Sequence, residues 1–362
     1  MNSKGSGPDR SSGGPGRAAA PAARRIRRSA LGVIAKRLAW GVGTIVGVVA
    51  LTFAVSHIIP ADPAALIAGE RATREQVEAL RREYGFDQPL WLQLLRYFGR
   101  LATGDLGRSL FTGRAVSDDL FSRLPATIEL AVVALALTIL LGVPLGVMAA
   151  LRRNSLFDHI VRIVTVSGLA VASFWFAIIL QLLFAMELGW SPLGGRITGD
   201  PPPRVSGFFL VDTLLARDGG SFLSALNHLM LPALTLAFPT MATIVRFTRA
   251  GVLDTINRPF VQYEQAMGLP PSLIVWKYVL RSALTSTVTQ IGLVTGVLLG
   301  GSVVIEAVFD WPGLGYYAVN SIIMSDYNAV LGFTVWVSAI YILVNMLVDF
   351  AHRRIDPRGA AV

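Results

Sequence analysis

Six apolar runs separated by polar connections dominate the chain. Each has about the 20 residues that an α-helix needs to cross the hydrocarbon core of a bilayer. Because a backbone in lipid must satisfy its own hydrogen bonds, each run is expected to be helical. The sequence therefore predicts an all-α integral membrane protein with six transmembrane helices. The predicted spans are Leu38–Ile59, Ala126–Leu151, Ile163–Met186, Leu229–Val245, Ser286–Val308 and Leu331–Phe350.

The first span admits a second interpretation. An arginine-rich start before an apolar run is also typical of a cleaved secretory signal, and Arg24-Arg25 fits a twin-arginine signal. This run, however, is longer than the about 7–15 residues of a signal core, and five more spans follow it. We therefore favour a retained membrane helix.

A long polar connection, residues 246–284, separates the fourth and fifth spans. A protein that only forms a channel has little use for a charged, helix-like loop of this length. A membrane protein whose conformational change is driven by a separate protein needs a surface to which that protein can bind. Gly268 is placed to end a short helix, after which Pro270 and Pro271 redirect the chain. Nearby hydrophobic residues that we expect to provide contacts are Ile274, Trp276 and Tyr278.

The connection between the first two spans, residues 60–125, carries helix signals of its own. Thr73 and Gln76 fit a capping box, and Gly85 is placed to end that helix. A second amphipathic run follows. On periodicity alone this loop is either a small folded cap or a pair of helices lying flat on the membrane interface. The apolar stripe of the second run consists of Leu94, Leu95, Phe98 and Leu101.

The distribution of basic residues orients the predicted spans. Lys and Arg accumulate on the cytoplasmic side of membrane helices. The N-terminal tail holds nine and residues 246–284 hold five, whereas the connection after the fifth span holds none. Both termini and residues 246–284 are therefore predicted to be cytoplasmic, with the connection 60–125 outside. Residues 1–30 have a composition typical of disorder, and residues 359–362 form a short C-terminal tail.

Composition agrees with the membrane class. Of 362 residues, 53% are hydrophobic and 15% are charged, which is too apolar for an ordinary soluble protein. The net charge of +9 indicates topology and attraction to anionic lipid headgroups. Nucleic-acid binding would need basic residues interleaved with stacking aromatic residues on a folded surface. We therefore predict membrane lipid, and no nucleic acid, as a partner.

Ionisable residues within the predicted spans lie near the span ends. Ion-coupled transporters need such residues near the midplane of the membrane, where the coupling ion binds. We interpret these side chains as reaching the interface, with a substrate role as the less favoured alternative for each. They are His57, Glu129, Glu187, Arg246 and Glu306.

No catalytic constellation is visible in the sequence. The four histidines lack metal-ligand spacing. A nucleotide-binding loop of the G-x-x-x-x-G-K type is absent, because none of the three lysines follows a glycine. The sequence predicts no catalytic residue, no metal site and no cofactor bound by the chain itself. Transport driven by a nucleotide would require another chain to bind it.

Glycines four residues apart mark three of the spans. Small residues at this spacing let helix backbones approach closely. We predict packing inside the bundle for Gly43 and Gly47 on the first span and for Gly142 and Gly146 on the second. For the fifth span, packing against a partner subunit and lining a narrow pathway are equally open. The glycines of the fifth span are Gly292, Gly296 and Gly300.

A series of short motifs runs in order along the chain. They are Ile59-Pro60-Ala61-Asp62-Pro63-Ala64, Asp87-Gln88-Pro89-Leu90-Trp91, Gly104-Asp105-Leu106-Gly107-Arg108-Ser109, Arg123-Leu124-Pro125-Ala126-Thr127, Ser173-Phe174-Trp175, Leu188-Gly189-Trp190, Pro232-Ala233-Leu234, Trp311-Pro312-Gly313-Leu314-Gly315, Asn345-Met346-Leu347-Val348-Asp349 and Asp356-Pro357-Arg358. Together they resemble the permease subunits of ABC importers that work with a binding protein. More narrowly, they resemble the first-permease type of the dipeptide, oligopeptide and nickel subfamily. The resemblance covers about Ile34 to Arg358.

In these permeases a cytoplasmic loop carries the EAA motif, whose short coupling helix seats in a cleft of the ATPase subunit. The resemblance places this motif on Phe260–Leu269. The sequence departs from it at Gln262-Tyr263-Glu264, where the motif reads Glu-Ala-Ala, which affects the details of the ATPase contact. The residues that the resemblance assigns to coupling are Tyr263, Glu264, Gln265, Ala266, Met267, Gly268, Leu269, Leu280 and Arg281.

The resemblance implies a multi-pass permease of the bacterial plasma (inner) membrane without ATPase activity of its own. It would pair with a second homologous permease, two ATPase subunits that bind ATP and Mg, and an external substrate-binding protein. Dipeptides or oligopeptides are the first choice of substrate, with nickel, glutathione and other small solutes open. From the residues alone, a self-contained channel or secondary transporter and a structural scaffold also remain open.

Overall fold

Helices form nearly all of the regular structure in the computed structural model, which describes residues 39–56, 63–69 and 72–355. The described ranges contain no β-strand, only one bridge between Arg108 and Ala115, so the all-α prediction is confirmed. The helices are α1 (Ala39–Ser56), α2 (Pro63–Ala68), α3 (Arg74–Glu83), α4 (Leu90–Ala102), α5 (Val116–Leu151), α6 (Leu156–Ala170), α7 (Ser173–Leu180, continued as a π-helix over Gln181–Glu187), α8 (Phe209–Leu215), α9 (Gly219–Ile256), α10 (Pro259–Ala266), α11 (Pro271–Leu273, continued as a π-helix over Ile274–Val279), α12 (Leu280–Val308), α13 (Leu314–Ile323) and α14 (Tyr327–Ile355).

The chain separates after Gly47 into two compact units. The described part of the shorter unit, residues 39–47, is helical. The longer unit begins at Val48 and carries every contact described below.

The third predicted span differs in form from the structure. Among the described residues, five helices are long and apolar enough to cross a membrane, and the pair α6 and α7 makes a sixth candidate. That pair is bent by 111° at Val171, whose backbone is extended (φ −79°, ψ 131°). The predicted span Ile163–Met186 is therefore not one continuous helix, although both arms are apolar.

Two helices extend well beyond their predicted spans. α5 begins at Val116 and α9 runs over Gly219–Ile256, and each contains two prolines. Prolines inside membrane helices are tolerated because neighbouring helices and local adjustments satisfy the freed backbone groups. α9 packs against α5, α6, α7 and α12, which makes it the central helix of the bundle.

Glycine allows α5 to lie against α9. A Cβ added at Gly146 would lie 2.7 Å from Thr248 Cβ and 2.8 Å from the Val245 carbonyl oxygen, and one added at Gly142 would lie 3.2 Å from Ile244 Cγ2. These distances are too short for a side chain at Gly146. The prediction that this glycine pair packs inside the bundle is confirmed, whereas a Cβ on Gly43 or Gly47 of α1 would meet no atom within 4 Å.

The connection between α1 and α5 is folded. The capping box of Thr73 with Gln76 is present, and α3 ends in a Schellman motif in which the Phe86 N–H donates to the Arg81 carbonyl. Gly85, with φ +73°, supplies the left-handed residue that this motif requires. The capping prediction is therefore confirmed.

The predicted stripe on α4 needs one correction. Tyr97 is the buried residue of this helix, whereas the Leu95 side chain is 58% exposed. α4 therefore turns a face centred on Tyr97 inward.

The loop after α4 is tied to the start of α14. Asp326 Oδ2 accepts hydrogen bonds from the Ser109 hydroxyl at 2.5 Å and from the Phe111 N–H at 3.3 Å. The Asn328 side-chain amide donates to the Arg108 carbonyl at 2.9 Å. These contacts fasten the segment Gly104–Ser109 to the end of the bundle opposite α10.

Candidate functional site

The short helix α10 lies between the two long helices α9 and α12. Pro259 occupies its first turn, where the missing N–H costs nothing. The helix ends in a Schellman motif: the Gly268 N–H donates to the Gln265 carbonyl at 3.0 Å and the Leu269 N–H to the Glu264 carbonyl at 3.3 Å. Gly268 has φ +78°, so glycine is required there by the backbone.

One face of α10 is buried and the other is open. Val261 is 0% exposed and Glu264 is 9% exposed, whereas Tyr263 is 66% exposed and Met267 56% exposed. Gln265 and Ala266 are exposed as well. Large apolar side chains on a water-facing helix are typical of a protein-binding surface.

The buried face of α10 packs into a cluster that we call the α10 cluster. It joins the ends of three long helices, because Val147 and Ala150 belong to α5, Val252 to α9 and Ala283 to α12. Its buried members are Val147, Ala150, Val252, Val261, Ile274, Val279 and Ala283. A displacement of α10 would therefore act on α5, α9 and α12 together, since close-packed cores transmit strain.

The remaining coupling residues lie on both sides of this cluster. Leu269 and Leu280 pack against it, whereas Arg281 is exposed. Ile274 is buried inside the cluster, where it makes apolar contacts within the chain, while Trp276 is 50% exposed. Buried Glu264 Oε2 has no hydrogen-bond partner within the described part of the chain.

A buried ion pair near the same end of the bundle was not predicted. Asp158 accepts two hydrogen bonds from the Arg249 guanidinium, at 2.7 and 2.8 Å, and its side chain is 0% exposed. The Asn154 N–H adds a third at 3.0 Å. The two-bond geometry is the strong form of an Arg–carboxylate pair and joins α6 to the last turns of α9.

Glu129 sits in a buried ion pair at the opposite end. Arg196 Nη2 lies 2.5 Å from Glu129 Oε2, the side chains are 8% and 5% exposed, and the Leu210 N–H donates to Glu129 Oε1 at 2.8 Å. The Arg196 guanidinium also lies 3.8 Å from the centre of the Phe209 ring. Burial lowers the pKa of Arg196, and the Glu129 carboxylate opposes that shift.

Glu306 is fully buried and holds the turn before α13. Its Oε2 accepts hydrogen bonds from the N–H groups of Gly315 at 2.6 Å and Tyr316 at 3.2 Å. A carboxylate at a helix N-terminus is favoured by the free N–H groups and by the helix dipole. A Cβ on Gly315 would lie 2.3 Å from Val303 Cα, so the last glycine of Trp311–Gly315 permits this close approach.

These two carboxylates correct the interpretation of the charged residues in the spans. Glu129 and Glu306 do not reach an interface, because each is buried and bound by the protein itself. Glu187 and Arg246 are exposed, in keeping with the interpretation, and His57 lies outside the described residues. Sequence periodicity could not find Arg196, since it lies 67 positions from Glu129 in a loop.

The glycines of α12 face two environments. A Cβ on Gly296 would lie 3.4 Å from the Tyr341 ring, whereas one on Gly300 would meet no atom of the chain within 4 Å. Gly292 is half-buried. Gly296 thus contributes to packing against α14, and Gly300 opens onto space that the chain does not fill.

Within 39–56, 63–69 and 72–355, no three His, Asp or Glu side chains group as metal ligands. What the geometry offers instead is an exposed helix connected mechanically to three long helices.

Two family models match this chain. The family described as "Binding-protein-dependent transport system inner membrane component" matches residues 142–360, and its N-terminal component matches residues 30–131. A solved structure of the MetNI methionine ABC transporter is 20% identical with a TM-score of 0.46 over 65% of this chain and 94% of that chain, a likeness too distant to support an inference.

Curated relatives cover nearly the whole chain. The "Probable D,D-dipeptide transport system permease protein DdpB" of Escherichia coli is 45% identical over 90% of this chain and 96% of its own length. The "Di/tripeptide transport system permease protein DppB" of Pseudomonas aeruginosa is 41% identical over 91% and 98%. The "Dipeptide transport system permease protein DppB" of Escherichia coli is 36% identical over 90% and 97%. The chain therefore belongs to the family of binding-protein-dependent transport system inner membrane components, the permease subunits of ABC importers.

Proposed function

We propose that this permease subunit imports dipeptides or short oligopeptides and is driven by separate ATPase subunits through α10. A second homologous permease completes the translocation pathway. Two nucleotide-binding subunits hold ATP and Mg, and an external binding protein delivers the substrate. The chain lies in the bacterial inner membrane with both termini and α10 on the cytoplasmic side, the orientation that the basic residues indicate.

The observation that carries this proposal is the two-faced geometry of α10. Tyr263 and Met267 present apolar surface outward, while Val261 anchors the helix in the α10 cluster. Burying a valine side chain is favourable by about 1.5–3 kcal/mol relative to leaving it exposed to water. This contact holds α10 against α5, α9 and α12 when a partner protein displaces the helix.

Alternating access follows from this connection. When ATP binding closes the motor, the ATPase subunits move α10, and the α10 cluster carries that movement to the long helices. Closure favours one of two bundle arrangements and hydrolysis restores the other, as a population shift between inward-facing and outward-facing states. Gly300, which opens onto unfilled space, is a candidate for contact with the second permease or for the pathway wall.

The substrate class rests on the names of the relatives. Three of them are named for transport of D,D-dipeptides, di- and tripeptides, or dipeptides, and another is named for glutathione. A peptide is common to all of these names. A self-contained channel or secondary transporter is not favoured, because the family works with separate partner subunits.

The experiment that tests this proposal is purification of the tagged chain in mild detergent, with mass spectrometry of whatever remains bound. We expect a second permease and nucleotide-binding subunits, and, after reconstitution with the binding protein, ATP-dependent uptake of labelled dipeptide. A homo-oligomer without ATPase activity that passes solute without ATP would overturn it.

A further inference from the structure

The bend between α6 and α7 lies beside a proline of the central helix. The bend is centred on Val171, and the proline is Pro239 of α9. Phe238 contacts both arms of the bend, because its ring stacks on that of Phe176 with the ring centres 4.5 Å apart, and a Cβ added at Gly168 would lie 3.2 Å from its Cε1. Two neighbouring elements are therefore interrupted at the same level of the bundle.

The junction of α6 and α7 can change its angle at low cost. Its two residues have extended backbones, Val171 with ψ 131° and Ala172 with ψ 128°, inside a β region that spans about +100° to +180° in ψ. α6 ends with the Val171 N–H bonded to the Ser167 carbonyl at 2.9 Å, and α7 begins with the Phe176 N–H bonded to the Ala172 carbonyl at 3.1 Å. Among the described residues no side chain caps the first turn of α7. No cap therefore fixes the angle between the two arms.

Pro239 weakens α9 at the same level. A proline inside a helix donates no hydrogen bond to the carbonyl four residues earlier, and its ring crowds that carbonyl, which in α9 belongs to Thr235. The Thr235 hydroxyl donates to the Leu231 carbonyl at 2.8 Å, and the Thr243 hydroxyl donates to the Pro239 carbonyl at 3.2 Å. Hydroxyl bonds of this kind also favour bending of a helix. Sharp bends of long helices occur mostly at prolines, so α9 is built to bend here.

The part of α9 after Pro239 is fastened to both ends of α6. Near the start of α6, the Asp158 carboxylate accepts two hydrogen bonds from the Arg249 guanidinium, at 2.7 and 2.8 Å. Near its end, a Cβ added at Gly168 would lie 3.3 Å from Ala242 Cβ. The two-bond pair fixes orientation as well as distance. α6 and residues 240–256 of α9 therefore form one unit, which we call the α6–α9 unit.

α7 is fastened to other parts of the bundle. The Gln181 side-chain amide, just after α7, donates to the Val308 carbonyl at the end of α12 at 3.0 Å. Ala177 and Leu180 are buried in a cluster whose α9 members all precede Pro239. The two arms of the bend thus belong to different packed regions, and the junction between them is the place where those regions can move apart.

We propose that the α6–α7 junction and Pro239 form one hinge, about which the α6–α9 unit swings relative to α7. The inference rests on the proposed function, since α10 supplies the movement. Only Asn257 and Arg258 separate α9 from α10, and Val252 of the α6–α9 unit belongs to the α10 cluster. Hinges absorb a domain movement at a few residues at the ends of elements. This hinge converts a displacement of α10 into a change in the opening of the bundle.

Distances between spin labels test the hinge. The chain has no cysteine, so pairs of labels can be placed on introduced cysteines at Ile160 of α6, Ala250 of α9 and Met186 beyond α7, all of which are exposed. Ile160 lies about 16 Å along α6 from Val171, so a swing of roughly 15° would move it by about 4 Å.

The labelled chain is measured in the complex reconstituted with its partners, without nucleotide and after trapping with ATP and vanadate. We expect the Ile160–Met186 distance to change between the two states and the Ile160–Ala250 distance to stay the same. An unchanged Ile160–Met186 distance in a complex that imports dipeptide would overturn the hinge, and so would equal changes in both distances. Absence of ATP-driven uptake by the unlabelled complex would instead contradict the proposed function, and the hinge with it.

Two proline variants of α9 locate the hinge. Pro239→Ala restores the missing N–H and removes the crowding ring, so we expect ATP hydrolysis to continue while uptake per ATP falls several-fold and the Ile160–Met186 change shrinks. Pro232→Ala is the matched control, because it makes the same change in the half of α9 that precedes the hinge, and it should retain both uptake and the distance change. Melting temperatures report whether each variant folds. A full distance change in folded Pro239→Ala, or equal losses in the two variants, would contradict the hinge.

Discussion

Glu129 and Glu306 carry the same functional group, yet the chain uses them differently. Glu129 neutralises Arg196 inside the protein, whereas Glu306 accepts the free N–H groups at the start of α13. The sequence located both carboxylates near span ends but could not assign either partner. A distant loop supplies one partner, and a turn that forms only in the folded bundle supplies the other.

Removing the Glu129 charge should leave the buried Arg196 guanidinium without its ion-pair partner. Glu129→Gln leaves a buried guanidinium without its counter-ion, so we expect a loss of about 3–5 kcal/mol in the free energy of unfolding. Replacing both residues, Glu129→Gln with Arg196→Met, should recover part of that loss, because methionine keeps apolar volume beside Phe209 and Trp311. Unfolding in detergent measures both variants. Strictly additive losses would show that the pair is not coupled.

A substitution at Gly315 tests the turn that is hydrogen-bonded to Glu306. A methyl group there would collide with the backbone of Val303, so we expect Gly315→Ala to destabilise the protein by about 1–3 kcal/mol, as overpacking does. Gly301→Ala is the control, since its Cβ would lie an ordinary 3.7 Å from Leu236 Cδ1. Melting temperatures of the two variants should differ. Equal melting temperatures would mean that the turn adjusts without cost.

At the scale of elements, the hydrophobic pattern predicted which segments are helical better than it predicted where the helices bend and end. α5, α9 and α12 contain the predicted apolar runs. The bend between α6 and α7 falls at Val171, where the sequence has no proline or glycine to mark a break. Helix ends also differ from hydropathy limits, because α9 continues as a regular helix past Arg246 into polar sequence. The short helix ended by Gly268 was predictable, since its glycine and prolines are local signals.

Val261 is the buried contact that holds α10 in its cluster. Val261→Ala removes two methyl groups from a fully buried position, at a cost of about 2 kcal/mol. If α10 transmits movement through this contact, the reconstituted complex should keep hydrolysing ATP while dipeptide uptake per ATP falls. Gln262→Ala, at the exposed neighbouring position, should retain more of the uptake. Unchanged uptake in Val261→Ala would contradict transmission through the α10 cluster.

At the scale of the whole molecule, the two ends of the bundle are built differently. The α10 end presents an exposed helix on an apolar cluster and holds one buried carboxylate, Asp158, which is paired with Arg249. The opposite end is fastened by the buried carboxylates Glu129, Glu306 and Asp326. A bundle that is moved from one end benefits from rigidity at the other, because rocking requires packed units that do not deform. In the proposed orientation, the ATPase subunits act on the α10 end.

The most direct test of this account is the coupling of ATP hydrolysis to dipeptide uptake in two matched glycine variants. Gly268 and Gly104 have nearly the same backbone conformation, φ +78° and +79°, each ends a helix, and a Cβ on either meets no atom within 4 Å. Arginine therefore imposes the same backbone strain at both sites, but only at Gly268 does its bulk enter the proposed ATPase contact. The account predicts that Gly268→Arg abolishes ATP-driven uptake while Gly104→Arg retains it. Full uptake by a stably assembled Gly268→Arg complex, or an equal loss in both variants, would contradict it.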